Sequence, residues 1–258
     1  MPNATREASG RTMLRRLIIN ADDLGYDPAV DAGLLRAMRQ GLVSSATLMV
    51  NSPYSAEAAR AARGLSVGLH LNLARWRPLT VGFSPSHLGA DGAFAEAKAA
   101  SLPEAVVEGE ARAQLEHAAQ LLGKRPTHLD VHKHLHRHQA ILRAVAVVAR
   151  AEGLPVRALD EEMRAFLRAQ GVATPGHFVG EAGALAYWTQ ERFLTELAAL
   201  KEGTTEWMCH PGEPPTQLVS GYSSQRRVEL DTFTSEEARE ALELSGVVLT
   251  DFAALASA

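Results

Sequence analysis

Hydrophobic and polar positions along this chain switch repeatedly between a period of two and a period near 3.6. Arg16 to Ala21 is a short apolar run that reads as a buried strand, and it passes into Asp22-Asp23-Leu24-Gly25, a turn. Asp27-Pro28 offers an N-cap followed by proline at the first helical position. Val30, Leu34, Leu35 and Met38 then recur at helical spacing, which predicts a helix to about Gln40, ended by Gly41. Ser45 to Val50 predicts a second strand, and Tyr54 to Arg63 a helix. Ser66 to Leu73 alternates cleanly, with Val67, Leu69, Leu71 and Leu73 on one side and Gly68, His70 and Asn72 on the other. Residues 74–101 lack strong periodicity and are rich in Pro, Gly and Ser; a segment this long reads as a loop over a site. A helix from Pro103 to Leu122, capped by Gly123, leads into Thr127–His136, read here as extended. Helices at Gln139–Glu152, Asp160–Ala169, Thr189–Lys201 and Ser235–Ser245 then alternate with strands at Leu154–Leu159, Val172–Gly180, Thr205–Cys209 and Val247–Thr250. Glu213–Arg227 reads as a second loop-like insertion.

Seven or eight strands alternate with helices without a break in composition. The fold class is therefore α/β with parallel strands, and the repetition favours a closed, TIM-like (β/α) barrel in a single domain over residues 14–258. Right-handed βα connections would wind successive units around a ring. The competing open sheet usually carries a Gly-rich first turn that cradles phosphate. The paired carboxylates of Asp22 and Asp23 occupy that turn here and would repel it. Residues 1–13 are small and polar, without the apolar stretch of a secretory signal, and read as a disordered tail.

Composition narrows the function classes. A net charge of −4 with scattered basic residues gives no footprint for nucleic acid. No apolar run approaches the length of a membrane span. The single cysteine, Cys209, excludes an intrachain disulfide framework and fits a reducing compartment, so a cytoplasmic location is expected.

The chemistry concentrates in Thr127–His136, where four of the ten histidines and an aspartate fall within nine residues. An extended chain puts His128, Asp130, His132, His134 and His136 on one face, a surface of metal-ligand type. In a parallel barrel the active site lies at the C-terminal strand ends. Asp22 and Asp23, His70, the histidine stretch, Arg157 with Asp160, and His210 all fall at such ends. Neighbouring carboxylates at a strand exit point different ways, so one can bind a metal while the other faces substrate. A site of two histidines and one aspartate with open positions is typical of a catalytic metal. His210 is placed to protonate a leaving group. Trp76, Trp188 and Tyr222 are either aromatic faces for a ligand or core or interface residues, the second reading being favoured for Trp188.

Four stretches together resemble the YdjC-like carbohydrate deacetylases: Asn20–Gly25, Val67–Leu71, Pro126–His136 and Met208–Pro211. The likeness runs from Leu17 onward. It departs at Lys133, where the family often carries histidine, and at Leu24, where phenylalanine is more usual. The resemblance implies a distorted barrel, one divalent metal (Mg or Zn, with Mn and Co also compatible) and a homodimer. It places metal ligands at Asp23, His70 and His132 and a catalytic base at Asp22. Asp130, His134, His136 and Arg157 are expected to contact substrate or support the ligands. The activity implied is removal of an acetyl group from an N-acetylated saccharide, with a metal-activated water attacking the amide carbonyl. The alternatives are a metal-independent glycoside hydrolase on the same fold and a non-catalytic metal- or sugar-binding relative.

Overall fold

The computed structural model describes residues 14–256, so the stretch read as an N-terminal tail, residues 1–13, lies outside the described residues. Seven strands form one parallel sheet: β1 (Arg15–Leu24), β2 (Ser45–Leu48), β3 (Val67–Leu71), β4 (Leu129–Val131), β5 (His177–Val179), β6 (Gly203–Cys209) and β7 (Val248–Thr250). The helices are α1 (Pro28–Gln40), α2 (Ser55–Ala61), α3 (Glu104–Leu122), α4 (Gln139–Glu152), α5 (Glu161–Ala169), α6 (Gln190–Ala198), α7 (Ser224–Thr234), α8 (Glu236–Leu244) and α9 (Ala253–Ala256). Among the described residues no helix is long and apolar enough to cross a membrane.

The strand order is β4-β3-β2-β1-β6-β5. β1 is the central strand. It pairs with β6 along Arg15–Ala21, with β2 from Asn20 onward, and with β7 lower down at Arg16–Ile18. Leu17, Ile18 and Ile19 have no exposed surface, which explains why the strand reads as an unbroken apolar run rather than an alternating one.

The sheet curls into a barrel that does not close fully. The strand expected at Leu154–Leu159 is reduced to a single bridge, Leu129 to Val156. Pro155 explains part of this: its carbonyl accepts from Leu129 N at 2.9 Å, but it has no N–H to return to a ladder. Three other readings are corrected. β1 continues through Asp22, Asp23 and Leu24, where a turn was expected, with an irregular register after Ala21 and a φ of 72° at Asp23. The histidine stretch is extended only as far as Val131. His132–Arg137 is a tight 3-10 segment in which Lys133 (φ 59°) and His134 (φ 54°) are left-handed, so the single-face alternation ends at β4. The insertion expected to run to Arg227 ends earlier, because α7 begins at Ser224. Its buried side includes Arg226, Glu229 and Thr232 beside Leu230 and Phe233, and those polar positions break the apolar periodicity.

Residues 74–101 do form a long irregular segment, with short 3-10 turns at Pro85–His87 and Glu96–Ser101. Asp27 caps α1 by accepting from Ala29 N at 2.9 Å, and it also accepts from Gln217 N at 2.7 Å, which ties the second irregular segment to the helix. α1 lies tight against the segment after β6: a Cβ on Gly33 would stand 2.6 Å from Glu213 N and 2.8 Å from the Gly212 carbonyl carbon.

Candidate metal centre and active site

A cavity of about 630 Å³ opens over the C-terminal ends of β1, β3, β4 and β6. Its walls include Asp22, Asp23, His70, His132, His134 and His210, with Tyr26, Arg75, Lys133, Tyr222 and Arg226. The long irregular segment supplies Ala74, Arg75 and Glu96.

Asp23, His70 and His132 come together at the cavity floor, each buried. Asp23 Oδ1 lies 3.4 Å from His70 Nε2 and 3.2 Å from His132 Nδ1, and the two ring nitrogens are 3.1 Å apart. Ligand atoms of one ion at bond lengths of about 2.0–2.2 Å are separated by about this much. Asp23 Oδ1 is buried and has no hydrogen-bond donor, as an oxygen reserved for a cation should be. The donor set, two imidazoles and one carboxylate oxygen, fits a divalent metal with open positions.

The candidate ligands are braced from behind. His70 Nδ1 meets Asp130 Oδ1 at 2.6 Å, and Thr47 donates its hydroxyl to Asp130 Oδ2 at 3.0 Å. This carboxylate–histidine arrangement fixes the ring and turns Nε2 toward the site. Burial alone would lower the imidazole, but the adjacent Asp130 carboxylate pushes His70 up to about 10. Burial holds His132 below the usual imidazole range, against the pull of Asp23.

Arg157 is the second centre. It is fully buried and reaches three carboxylates: Asp22 through both terminal nitrogens at 2.7 Å, Asp130 at 2.9 Å, and Glu206 through Nε at 2.7 Å. Burial pushes the Asp22 carboxyl upward, yet the paired guanidinium overrides it and holds Asp22 well below the usual range. Asp22 therefore stands ionised beside the triad. Asp130 and Arg157 are fully buried and line no part of this cavity.

His210 follows β6. Its backbone N–H donates to Glu229 Oε2 at 2.5 Å, and Glu229 also accepts from the Tyr222 hydroxyl at 2.5 Å. Burial brings His210 down to about 4, so its ring is neutral near pH 7, and its Nδ1 has no protein partner. His134 reaches the cavity edge-on to Phe178, with centroids 5.8 Å apart, and burial lowers it to about 2. His136 is fully buried and lines no part of this cavity. His128 serves the core: it stacks on Phe252 at 3.7 Å, and its Nε2 meets Asn20 Oδ1 at 3.0 Å. Trp188 is wholly buried, its indole donating to Met208 O, and Trp76 packs on Tyr26 rather than lining the cavity.

Four residues that shape the site escape the sequence reading: Thr47, Glu206, Arg226 and Glu229. Glu206 is the one charged residue of β6, a detectable signal, whereas Arg226 and Glu229 lie on α7, which was not foreseen.

Comparison with known proteins bears on the same residues. A chitooligosaccharide deacetylase of Serratia marcescens is 36% identical, over 93% of this chain and 99% of that protein. A carbohydrate deacetylase of Geobacillus stearothermophilus is 36% identical over 86% of this chain and 90% of its own length. A crystal structure from Enterococcus faecalis V583, given the provisional description of a cellobiose-phosphate cleavage protein, superimposes with a TM-score of 0.85 at 31% identity, covering 94% of this chain and 99% of that one. The family model described as YdjC-like protein spans residues 16–244, from the first residues of the central strand to the end of α8, and so takes in every side chain of the cavity floor. The chain belongs to the YdjC-like family.

Proposed function

We propose that this protein is a metal-dependent hydrolase that removes an acetyl group from an N-acetylated sugar or oligosaccharide. The observation that carries the reading is the convergence of Asp23 Oδ1, His70 Nε2 and His132 Nδ1 on the floor of an open cavity, with an ionised Asp22 alongside. Deacetylase relatives at 36% identity over most of the chain support the substrate class.

Asp23, His70 and His132 would hold the ion, which supplies a Lewis acid for the amide carbonyl and for water. Asp22, kept charged by Arg157, orients the attacking water and accepts its proton. The C–O bond forms, the C–N bond breaks, and the amine must leave protonated. His210 rests neutral, so the proton that Asp22 takes from the water passes by way of His210 to the amine nitrogen, and both side chains end as they began. Acetate and a free amino sugar result. The neutral His134 at the rim is available to hydrogen-bond a sugar hydroxyl. The homodimer and cytoplasmic setting expected from the sequence belong to the same proposal.

A glycoside hydrolase would need a carboxyl that carries a proton at working pH. Asp22 and Asp23 are both held below the usual carboxylate range by arginines, which disfavours that chemistry.

The test is acetate release from a panel of N-acetylated mono- and oligosaccharides, using metal-stripped protein and after adding back Mg, Mn, Zn or Co. Release should depend on metal and vanish in His132→Ala. Asp22→Asn should lose about 10²- to 10⁴-fold in rate while still binding metal. Sugar cleavage that is indifferent to chelator would overturn the proposal.

A further inference from the structure

We infer that Arg226 is a positioning residue for the metal site: it clamps the outer oxygen of Asp23 so that Asp23 presents one oxygen, Oδ1, to the ion. This rests on the reading of Asp23, His70 and His132 as metal ligands.

Arg226 Nη2 donates to Asp23 Oδ2 at 2.5 Å, while the other oxygen of that carboxylate faces the two ring nitrogens. The guanidinium is itself immobilised. Nε donates to the Tyr222 carbonyl at 3.0 Å, and the cation lies over the rings of Tyr26 and Tyr222, at 5.3 and 5.9 Å from their centroids. Only 2% of Arg226 is exposed. Asp23 needs such a clamp. Its backbone is left-handed, at φ 72°, within the irregular stretch of β1 between Ala21 and Leu24, so no regular ladder orients its side chain. A carboxylate free to rotate there can chelate with both oxygens or swing away from the histidines. The clamp removes both options, and it comes from α7, far along the chain from β1.

Simple electrostatics predicts the opposite sign. A buried cation beside a cation site should weaken metal binding, so removing it should tighten binding. If Arg226 positions Asp23, removing it should instead weaken binding, because the ligand loses its orientation.

The experiment is titration of metal-stripped protein with Zn and with Co, by competition with a chelator of known affinity. The variants are Arg226→Met, Arg226→Lys, His132→Ala and Asp23→Asn. Both Arg226 variants should lose about 10- to 100-fold in affinity. Arg226→Lys keeps the charge and the stem, and it provides a folded variant if Arg226→Met does not fold. The visible spectrum of the Co form should change in both. In the Asp23→Asn background the Arg226 effect should largely disappear, since it acts through that carboxylate. Unchanged or tighter binding in the Arg226 variants, with only their metal-free melting temperature lowered, would overturn the inference and leave the metal site standing. Failure of the unaltered protein to bind either ion, or no loss of affinity in His132→Ala, would overturn both.

Discussion

Single residues in this protein owe their charge state to what buries them and what faces them. Asp31, in the first turn of α1, is an example. Burial pushes its carboxyl up to about 7, against the Gly25 N–H that donates to it at 2.7 Å, and the Asp27 and Asp23 charges push the same way as burial. A carboxyl raised in the folded state binds its proton there more tightly than in the unfolded chain. Stability is therefore lost as pH rises from about 4, the unfolded value, to about 7. Asp31→Asn keeps the acceptor for Gly25 and has no proton to lose. Melting curves from pH 4 to pH 8 should show the variant gaining on the unaltered protein by up to about 4 kcal/mol, at about 1.4 kcal/mol per pH unit over three units. At this scale the sequence was informative about which side chains share the cavity. Asp22, Asp23, His70, His132 and His210 line one cavity as expected, because strand ends in a parallel sheet fall on one rim. Residue types alone could not separate His128, a stacking partner of Phe252, from His132, a ligand candidate four residues on.

Elements decide which of those residues reach the site. Periodicity located β1, β3, α1 and α4 because their apolar faces are uninterrupted. It failed where burial is polar, as on α7, and where the backbone turns left-handed, as at Lys133 and His134. That turn costs about 1–2 kcal/mol per residue for side chains other than glycine, and no apolar pattern announces it. Packing between elements also bears on catalysis. Gly33→Ala would normally favour a helix, but here the added methyl meets the backbone of Gly212 and Glu213 within 2.8 Å. The variant should lose about 1–3 kcal/mol in denaturant unfolding. It should also slow turnover by displacing the His210-Pro211-Gly212 turn, while metal affinity at Asp23, His70 and His132 stays unchanged.

The whole molecule is a curled parallel barrel whose missing strand is replaced by charge. Where Leu154–Leu159 fails to pair fully, Arg157 reaches from the gap to Asp22 on β1, Asp130 on β4 and Glu206 on β6. Strand counting from sequence anticipated the barrel but not this substitution, since an arginine in an apparently regular strand gives no sign of the carboxylates it will meet. Arg157→Met should cost about 3–5 kcal/mol or more in equilibrium unfolding, because it leaves buried carboxylates without a counter-charge. The proposed metal ligands span the side of the sheet from β1 to β4. Residue 23 leaves the central strand, residue 70 lies on the second strand beyond it, and residue 132 follows the edge strand β4. An ion can grip all three only after β1, β2, β3 and β4 have assembled in register, and such long-range pairings are slow to form. The ion should therefore act as a latch on the finished fold and not as a seed for it. Stopped-flow refolding rates should be nearly the same with metal and with chelator, while unfolding rates should fall as metal is added.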